Sequence, residues 1–203
     1  MSEDVVVHVI DDDDAVRHSL TLLLEMSGLL ATAHESALAF LEVVSTLTTG
    51  GCIIADIRMP GMDGLELQRT LTKKGVTLPV IIMTGHADVP IAVQALKNGA
   101  VDFIEKPFSD DVLLTAVRTA LEVSQQTRST QTRVVEIQQR LDTLTAREKE
   151  VLEGLLIGHP NKTIAFDLSM SPRTVEVHRA RIMQKMQARS LSELIRMIMS
   201  VRK

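Results

Sequence analysis

Several carboxylates and one lysine follow three short apolar runs in the first half of the sequence. The runs and the charged residues that end them are Val5–Ile10 with Asp11 and Asp12, Cys52–Ala55 with Asp56, and Val101–Ile104 with Glu105 and Lys106. Short apolar runs bounded by breakers are typical of buried parallel strands, whose carboxyl ends meet at one edge of an open sheet. Carboxylates gathered there repel one another, so we expect the site to hold a cation and to act on something anionic.

Asp56 stands in a setting that favours phosphoryl transfer. Pro60 and Gly61 follow it and force a tight loop, which leaves the carboxylate projecting from the sheet edge. Carboxylate oxygens are hard ligands that select Mg²⁺ (or Mn²⁺), a cation that also binds phosphate. With the cation neutralising the site, Asp56 is able to attack a phosphoryl group and form an acyl phosphate. Thr84 and Lys106, at neighbouring strand ends, offer a hydroxyl and an ammonium to phosphoryl oxygens.

Strand and helix patterns alternate through the first 121 residues. The predicted strands are Val5–Ile10, Leu29–Ala33, Cys52–Asp56, Val80–Thr84 and Val101–Glu105, and the predicted helices are Ala15–Ser27, one from Ser36, Gly64–Lys74, Val89–Asn98 and one from Ser109. This alternation predicts an α/β fold, a five-stranded doubly wound parallel sheet of the flavodoxin-like kind. The single Cys52 lies inside a strand without a partner, which indicates a buried thiol and a reducing compartment, the cytoplasm.

The remaining sequence is wholly helical in pattern. Residues 123–140 are polar and lack Gly and Pro, which predicts a partly helical linker between domains at 1–122 and 141–203. The second domain is expected to be an all-α domain of four helices, opening at Thr145, spanning Asn161–Leu168 and Pro172–Met186, and running from Ser190 to Val201. The middle two have the proportions of a helix-turn-helix. No apolar stretch is long enough for a membrane span, and the six histidines lack the spacing of zinc ligands.

Charge is divided unevenly along the chain, whose net charge is −4. Through Ala120 there are 8 basic and 17 acidic residues, and the remainder has 14 basic and 9 acidic residues, so the second domain is suited to a polyanion.

The aromatic content of this half favours duplex DNA over single strands. Trp and Tyr are absent, and Phe166, the only Phe in this half, fits the core, whereas single-strand binding needs aromatic stacking. One side of the third helix carries residues suited to base edges or phosphates: Arg173, Thr174, Val177, Ala180, Arg181, Gln184 and Lys185.

The motifs of the first domain resemble the receiver domain of two-component response regulators. The matching segments, in order and spacing, are Asp11-Asp12, Asp56 with Met59-Pro60-Gly61-Met62-Asp63-Gly64, Thr84-Gly85 and Lys106-Pro107-Phe108. The resemblance implies these roles: Asp56 as phosphoacceptor, Asp12 as a direct Mg²⁺ ligand supported by Asp11, the main-chain carbonyl of Arg58 as a further ligand, Thr84 and Lys106 as contacts of the phosphoryl group, and Phe103 as the aromatic switch residue. It also implies a cis peptide at Lys106-Pro107.

The second domain is similar to the LuxR/NarL-type effector domain, so that the whole chain resembles a response regulator of the FixJ type. The matching segments are Leu144–Glu148, Asn161–Ala165, Thr174–His178 and Ser190–Leu194. Pro160 replaces the usual Ser or Thr cap, so Asn161 is expected to take over capping. Glu176 replaces a Lys that contacts DNA in some relatives, so base specificity does not transfer. One apolar face of the last helix is expected to pack internally, and the other to form a dimer seam.

The resemblance implies a transcription regulator, expected to be an activator. It would receive a phosphoryl group from a sensor histidine kinase, dimerise, bind a duplex DNA operator and work with RNA polymerase on nitrogen-fixation or microaerobic genes. A FixJ-type regulator of another pathway and a DNA-binding protein that ignores phosphorylation stay open. A Mg²⁺-dependent phosphatase of the haloacid dehalogenase type is disfavoured, because it needs a second acid two residues after the nucleophile, where this sequence has Arg58. We therefore expect a regulator and not an enzyme.

Overall fold

The computed structural model describes residues 5–47, 50–85 and 89–202. The chain divides into two compact units, Met1–Arg128 and Ser129–Lys203. His86, expected in the loop after the fourth strand, lies outside the described residues. None of the helices in the described ranges combines the length and the apolar character that crossing a bilayer requires.

The first unit is built on a parallel sheet. Its strands are β1 (Val6–Ile10), β2 (Leu30–His34), β3 (Gly51–Asp56), β4 (Val80–Thr84) and β5 (Asp102–Glu105), in the spatial order β2-β1-β3-β4-β5. Its helices are α1 (Asp14–Met26), α2 (Ala37–Val43, followed by a 3₁₀ turn at Val44–Thr46), α3 (Gly64–Lys73), α4 (Val89–Lys97) and α5 (Asp110–Asp142). The predicted five-stranded doubly wound sheet is confirmed. Its order sets β1, β3, β4 and β5 side by side, so the charged strand ends share one edge.

Helices cover both faces of the sheet. The hydrophobic cluster on one face includes Ile10, Ile53 and Ile82 with Phe40 of α2 and Leu67 of α3. The cluster on the other face includes Val9, Ile54 and Met83 with Leu24 of α1 and Leu113 of α5. Cys52 belongs to the second cluster, and burial raises the pKa of its thiol to about 12. The thiol is therefore a core group, as the sequence predicts.

Helix α5 is unbroken from Asp110 to Asp142, and it includes the whole stretch 123–140 that the sequence predicts as a partly helical linker. Neither Gly nor Pro interrupts the stretch. In the first unit, the buried Ser124 accepts a hydrogen bond at Oγ from the main-chain N–H of Gly51 (3.3 Å). In the second unit, Ile137 is buried in the hydrophobic core. Each unit therefore uses part of the predicted linker in its own packing.

The second unit contains the end of α5 followed by four helices. They are α6 (Ala146–Ile157), α7 (Asn161–Asp167), α8 (Pro172–Met186) and α9 (Leu191–Val201). The side chains of Thr145, Ser171 and Ser190 cap α6, α8 and α9 by accepting a main-chain N–H three residues on. Gly158 ends α6 in the left-handed region, with φ of 86°. Buried side chains from all five helices, such as Ile137, Leu152, Ile164, Ile182 and Leu194, form its core.

Two sequence predictions for this unit are wrong. Asn161 does not cap α7, because the N-cap position is Pro160, which makes no side-chain hydrogen bond there. The amide oxygen of Asn161 instead accepts a hydrogen bond from Arg179 (3.3 Å). Phe166 is not in the core either, since it is 85% exposed. The buried positions of this short helix are those of Ile164 and Ala165.

Candidate functional site

A lysine joins two buried carboxylates at the carboxyl edge of the sheet. The Nζ of Lys106 lies 2.7 Å from Oδ2 of Asp11 and 2.7 Å from Oδ1 of Asp56. Both carboxylates are buried, at 2% and 7% exposure. Burial alone would lower the pKa of Lys106, but its hydrogen bonds to the two acids and the attraction of their charges outweigh burial and raise the pKa. The side chain is therefore an ammonium that balances part of the negative charge.

The loop after β3 fixes the Asp56 side chain. The main-chain N–H of Arg58 donates to Oδ2 of Asp56 (2.6 Å), and Asp63 caps α3 through the N–H of Glu66 (2.6 Å). Gly64 packs so closely that a Cβ there would lie 2.4 Å from the main-chain oxygen of Asp56. The motif after Asp56 therefore holds the acceptor carboxylate at the edge of the sheet and starts the next helix.

Asp11, rather than Asp12, faces the centre of this site. Oδ1 of Asp11 accepts from the N–H of Asp13 (3.0 Å), while its main-chain oxygen accepts from Nη1 of Arg17 (2.6 Å). Asp12 is exposed. Asp13 serves as the N-cap of α1. The structure thus shows Asp11 in contact with Lys106 and Asp12 exposed.

Thr84 and Phe103 lie on the strands beside Asp56. Thr84 ends β4, is buried, and stands in register with Glu105 of β5. The main-chain N–H of Lys106 donates to the oxygen of Thr84 (2.7 Å), so the lysine and the threonine are linked through the backbone. Phe103 is half-buried on β5 and packs against the core cluster of α2 and α3. The Lys106-Pro107 peptide is cis, as expected.

The donor set at this edge fits a magnesium ion. Oxygens of Asp11 and Asp56 contact the same ammonium nitrogen at 2.7 Å, so both carboxylates are close enough to attract one shared cation. The oxygens are hard ligands, and Mg²⁺ needs only one or two carboxylates beside waters and phosphate. In the described part of the chain, no group of three or more His, Cys, Asp and Glu gathers to hold a metal. The two acidic oxygens match the one or two carboxylates that Mg²⁺ requires.

Helix α8 presents the predicted polar face to solvent. The exposed residues on it include Arg173, Thr174, Val177, Ala180, Arg181 and Gln184. The opposite stripe, Val175, Ile182 and Met186, is fully buried. Residues 168–171 separate α7 from α8, and Ser169 in this turn has φ of 55°. A helix held by its apolar stripe and open on its polar face has the form of a recognition helix.

Lys185 differs from the other predicted residues of this face, because it is only partly exposed. Its Nζ lies 2.6 Å from Oε2 of Glu148 on α6 and 3.0 Å from the main-chain oxygen of Thr143. Burial alone would raise the pKa of Glu148, but hydrogen bonds from Lys185 and Thr145 outweigh it, and the pKa is lowered. Lys185, which the sequence predicts as a DNA contact, therefore has partners inside the domain as well. The sequence shows Glu148 as part of a capping box, but no spacing signal connects it with a lysine 37 residues on.

Comparisons with known proteins agree with both parts of the structure. Residues 7–118 match the response regulator receiver domain, and residues 142–198 match the bacterial regulatory proteins of the luxR family. The transcriptional regulatory protein FixJ of Azorhizobium caulinodans is 54% identical over 97% of this chain and 93% of its own. FixJ of Rhizobium meliloti is 47% identical over 97% and 96%. The crystal structure of full-length FixJ from B. japonicum matches with a TM-score of 0.60 at 44% identity, covering 99% of this chain and 98% of that one.

A receiver domain followed by a LuxR-type DNA-binding domain defines a two-component response regulator. The chain belongs to the FixJ-type response regulators. This family consists of transcriptional regulators that work with a sensor kinase and bind DNA, so the phosphatase alternative is excluded. Its receiver domains generally bind Mg²⁺ for phosphorylation.

Proposed function

We propose that phosphorylation of Asp56 switches this protein between two states that differ in DNA binding. One observation supports this above the others: the ammonium of Lys106 lies 2.7 Å from both Asp11 and Asp56, at the sheet edge where a phosphoryl group would arrive. The donor would be the phosphohistidine of a sensor histidine kinase. A carboxylate oxygen of Asp56 attacks phosphorus, the phosphorus–nitrogen bond breaks, and an acyl phosphate forms while the kinase histidine recovers its electron pair.

The residues around Asp56 have separate tasks in this proposal. Asp11, Asp12, Asp56 and the main-chain carbonyl of Arg58 would hold Mg²⁺ or Mn²⁺, which when bound neutralises carboxylate and phosphoryl oxygens. The ammonium of Lys106 has three protons and two carboxylate partners, so one proton is available for a phosphoryl oxygen. The hydroxyl of Thr84 would hold another phosphoryl oxygen.

The added phosphoryl group carries about −1.5 to −2 charge, which is the signal that must be transmitted. We propose that Thr84 moves toward it and that Phe103, on the adjacent strand β5, turns inward. The surface of α4 and β5 then becomes a dimer interface. Support comes from the exposed apolar side chains of Val89, Val93 and Leu96 on α4, which are 73%, 43% and 51% exposed. A second seam on α9 is available at Met199, which is 62% exposed.

The dimer would bind a two-fold symmetric operator through α8. Its exposed Arg173, Arg181 and Gln184 have the hydrogen-bonding groups that read base edges, and Val177 and Ala180 suit thymine methyl groups. Thr174 lies at the start of the helix, where it would contact the DNA backbone. We propose that an activator of this kind works with RNA polymerase, and that it does so in the cytoplasm, where the chromosome lies.

Labelling with acetyl phosphate tests the switch. We expect the wild-type chain to gain one phosphoryl group with Mg²⁺ and none with EDTA, measured by intact-mass spectrometry. Asp56→Asn should not be labelled, whereas Asp63→Asn, the same chemical change at an exposed cap, should be labelled normally. Light scattering should then show dimers only in labelled samples. A labelled or dimeric Asp56→Asn variant that binds DNA as well as the treated wild type would contradict the proposal.

The regulated genes are a separate question. The FixJ names of the relatives fit control of nitrogen-fixation or microaerobic genes, which we propose as the targets. Sequencing the genomic fragments that the protein captures with and without acetyl phosphate tests this. Enrichment of promoters for another pathway would show a FixJ-type regulator with a different task, and equal capture without acetyl phosphate would show DNA binding independent of phosphorylation.

A further inference from the structure

A buried carboxylate ties the C-terminal end of α8 to α6. Glu148 is 2% exposed, and its Oε2 accepts from the main-chain N–H of Thr145 (2.8 Å) and from Nζ of Lys185 (2.6 Å). Lys185 also donates to the main-chain oxygen of Thr143 (3.0 Å), which lies just past the end of α5. Two of the three ammonium protons of Lys185 therefore have partners inside the domain.

A second contact joins the end of α5 to the end of α8, with the donor on α5. Arg140, on the last turns of α5, donates to the main-chain oxygen of Met186, the last residue of α8 (3.4 Å). A cation at this point also opposes the negative end of the helix dipole. These hydrogen bonds connect the end of α5, the start of α6 and the end of α8. We call this group of residues the α8 clasp: Arg140, Thr143, Glu148, Lys185 and Met186.

We propose that Lys185 is a positioning residue for DNA recognition, which fixes the orientation of α8 through Glu148 rather than contacting a DNA phosphate. The proposal rests on the proposed role of α8 as the recognition helix. A lysine that turned to a phosphate would leave the carboxylate of Glu148 buried and without its cation, which is unfavourable. Arg181 and Gln184, one turn and one residue before Lys185, are on the exposed face that base contacts would use. Their reach depends on the angle at which the end of α8 is held.

Salt dependence distinguishes the two roles. A lysine that neutralises a phosphate releases counterions, so its removal reduces the slope of log K against log salt by about 1. Removal of a residue that orients α8 disturbs the base contacts and so lowers the affinity for the preferred sequence. Such a removal leaves the slope of log K against log salt unchanged. It also leaves the affinity for unrelated duplex DNA unchanged, because phosphate contacts dominate non-specific binding.

The variants should remove the charge of Glu148 or of Lys185 while leaving the domain folded. Glu148→Gln keeps the capping box, because a glutamine also accepts the Thr145 N–H, and it leaves the Lys185 charge in place. Lys185→Met removes the charge and keeps the stem. The double variant removes both charges, so no carboxylate is left unpaired. Lys149→Met, an exposed lysine next in sequence to Glu148, loses the same charge outside the clasp and is the matched control. Thermal unfolding establishes that each variant is folded before binding is compared.

The assay uses the full chain treated with acetyl phosphate and Mg²⁺, the tightest genomic duplex selected by the wild type, and a shuffled duplex of equal length. We expect Glu148→Gln and Lys185→Met each to weaken selected-duplex binding on the order of tenfold, with unchanged salt slope and unchanged shuffled-duplex affinity. We expect the double variant to be no weaker than Lys185→Met, and Lys149→Met to bind like the wild type. A slope reduced by about 1 in Lys185→Met, with full affinity in Glu148→Gln, would overturn the proposal. Unchanged binding in Arg181→Ala would instead contradict the role of α8.

Discussion

Acid is expected to weaken the first unit through a buried pair of histidines. His8 on β1 is 3% exposed, and its Nδ1 lies 3.2 Å from Nε2 of His34 on β2. The ring of Phe40 packs against both, with centroids 5.3 Å from His8 and 5.0 Å from His34. Burial, with a smaller contribution from the charge of His34, lowers the pKa of His8 to about 4. Burial also lowers the pKa of His34. Neutral rings are therefore the form that the fold accommodates.

The size of the effect follows from the two pKa values of His8. In the unfolded chain its pKa returns to 6.5, so the unfolded state binds more protons as the pH falls. The contribution of His8 to stability is complete above pH 6.5 and is lost progressively toward pH 4. By pH 5 the loss reaches at most about 2 kcal/mol, a factor of about 30 in the unfolding equilibrium. Because burial also lowers the pKa of His34, its protonation destabilises the folded state as the pH falls in the same way.

Hydrogen exchange of the β1 amides, corrected for the intrinsic effect of pH, measures this loss in the full chain. Fluorescence is unsuitable, since the sequence has no Trp or Tyr. We expect wild-type protection to fall by up to about 30-fold between pH 7.5 and pH 5, and His8→Leu to lose much less. His18→Leu, which removes an exposed histidine on α1, should keep the wild-type fall. Equal losses in wild type and His8→Leu would refute the assignment to His8.

Three further predictions concern packing and capping. Phe40→Ala should lower the free energy of unfolding by about 3–5 kcal/mol, whereas Phe166→Ala should change it by less than about 0.5 kcal/mol, because only Phe40 is buried; calorimetry compares them. Gly64→Ala should cost about 1–3 kcal/mol and slow acetyl phosphate labelling, since its Cβ would meet the oxygen of Asp56, while Gly85→Ala has open space and serves as the stability control. Ser171→Ala should cost about 1 kcal/mol by removing the cap of α8, and thermal unfolding should show no such cost for the exposed Ser192→Ala.

Features that local sequence determines were predicted correctly. The strands are short apolar runs ended by charged residues, and parallel pairing brings those ends together without further information. This is why Asp56 and Lys106, 50 residues apart, were expected at one site, where the structure places them 2.7 Å from each other. The caps at Thr145, Ser171 and Ser190 depend equally on local sequence, because a cap interacts with main-chain groups three residues away.

Features that depend on distant partners do not follow from local sequence. Helix α7 has seven residues, too few for periodicity to decide which side faces the core, so Phe166 was placed inward although it is exposed. Lys185 follows an exposed helical face in the sequence, but its partner Glu148 lies on another helix. The contact between Asp11 and Lys106 likewise depends on tertiary structure, and the roles of Asp11 and Asp12 toward Mg²⁺ stay predictions.

The charges at the sheet edge explain how Lys106 is able to serve both states of the proposed switch. In the structure it balances one of two buried carboxylates, which leaves one excess negative charge. An acyl phosphate would replace the single charge of Asp56 with about two, so the ammonium would be drawn toward the new oxygens. Because the main-chain N–H of Lys106 donates to the oxygen of Thr84, such a movement acts on the ends of β4 and β5 together. Phe103 is on β5, three residues before Lys106, which directly follows that strand.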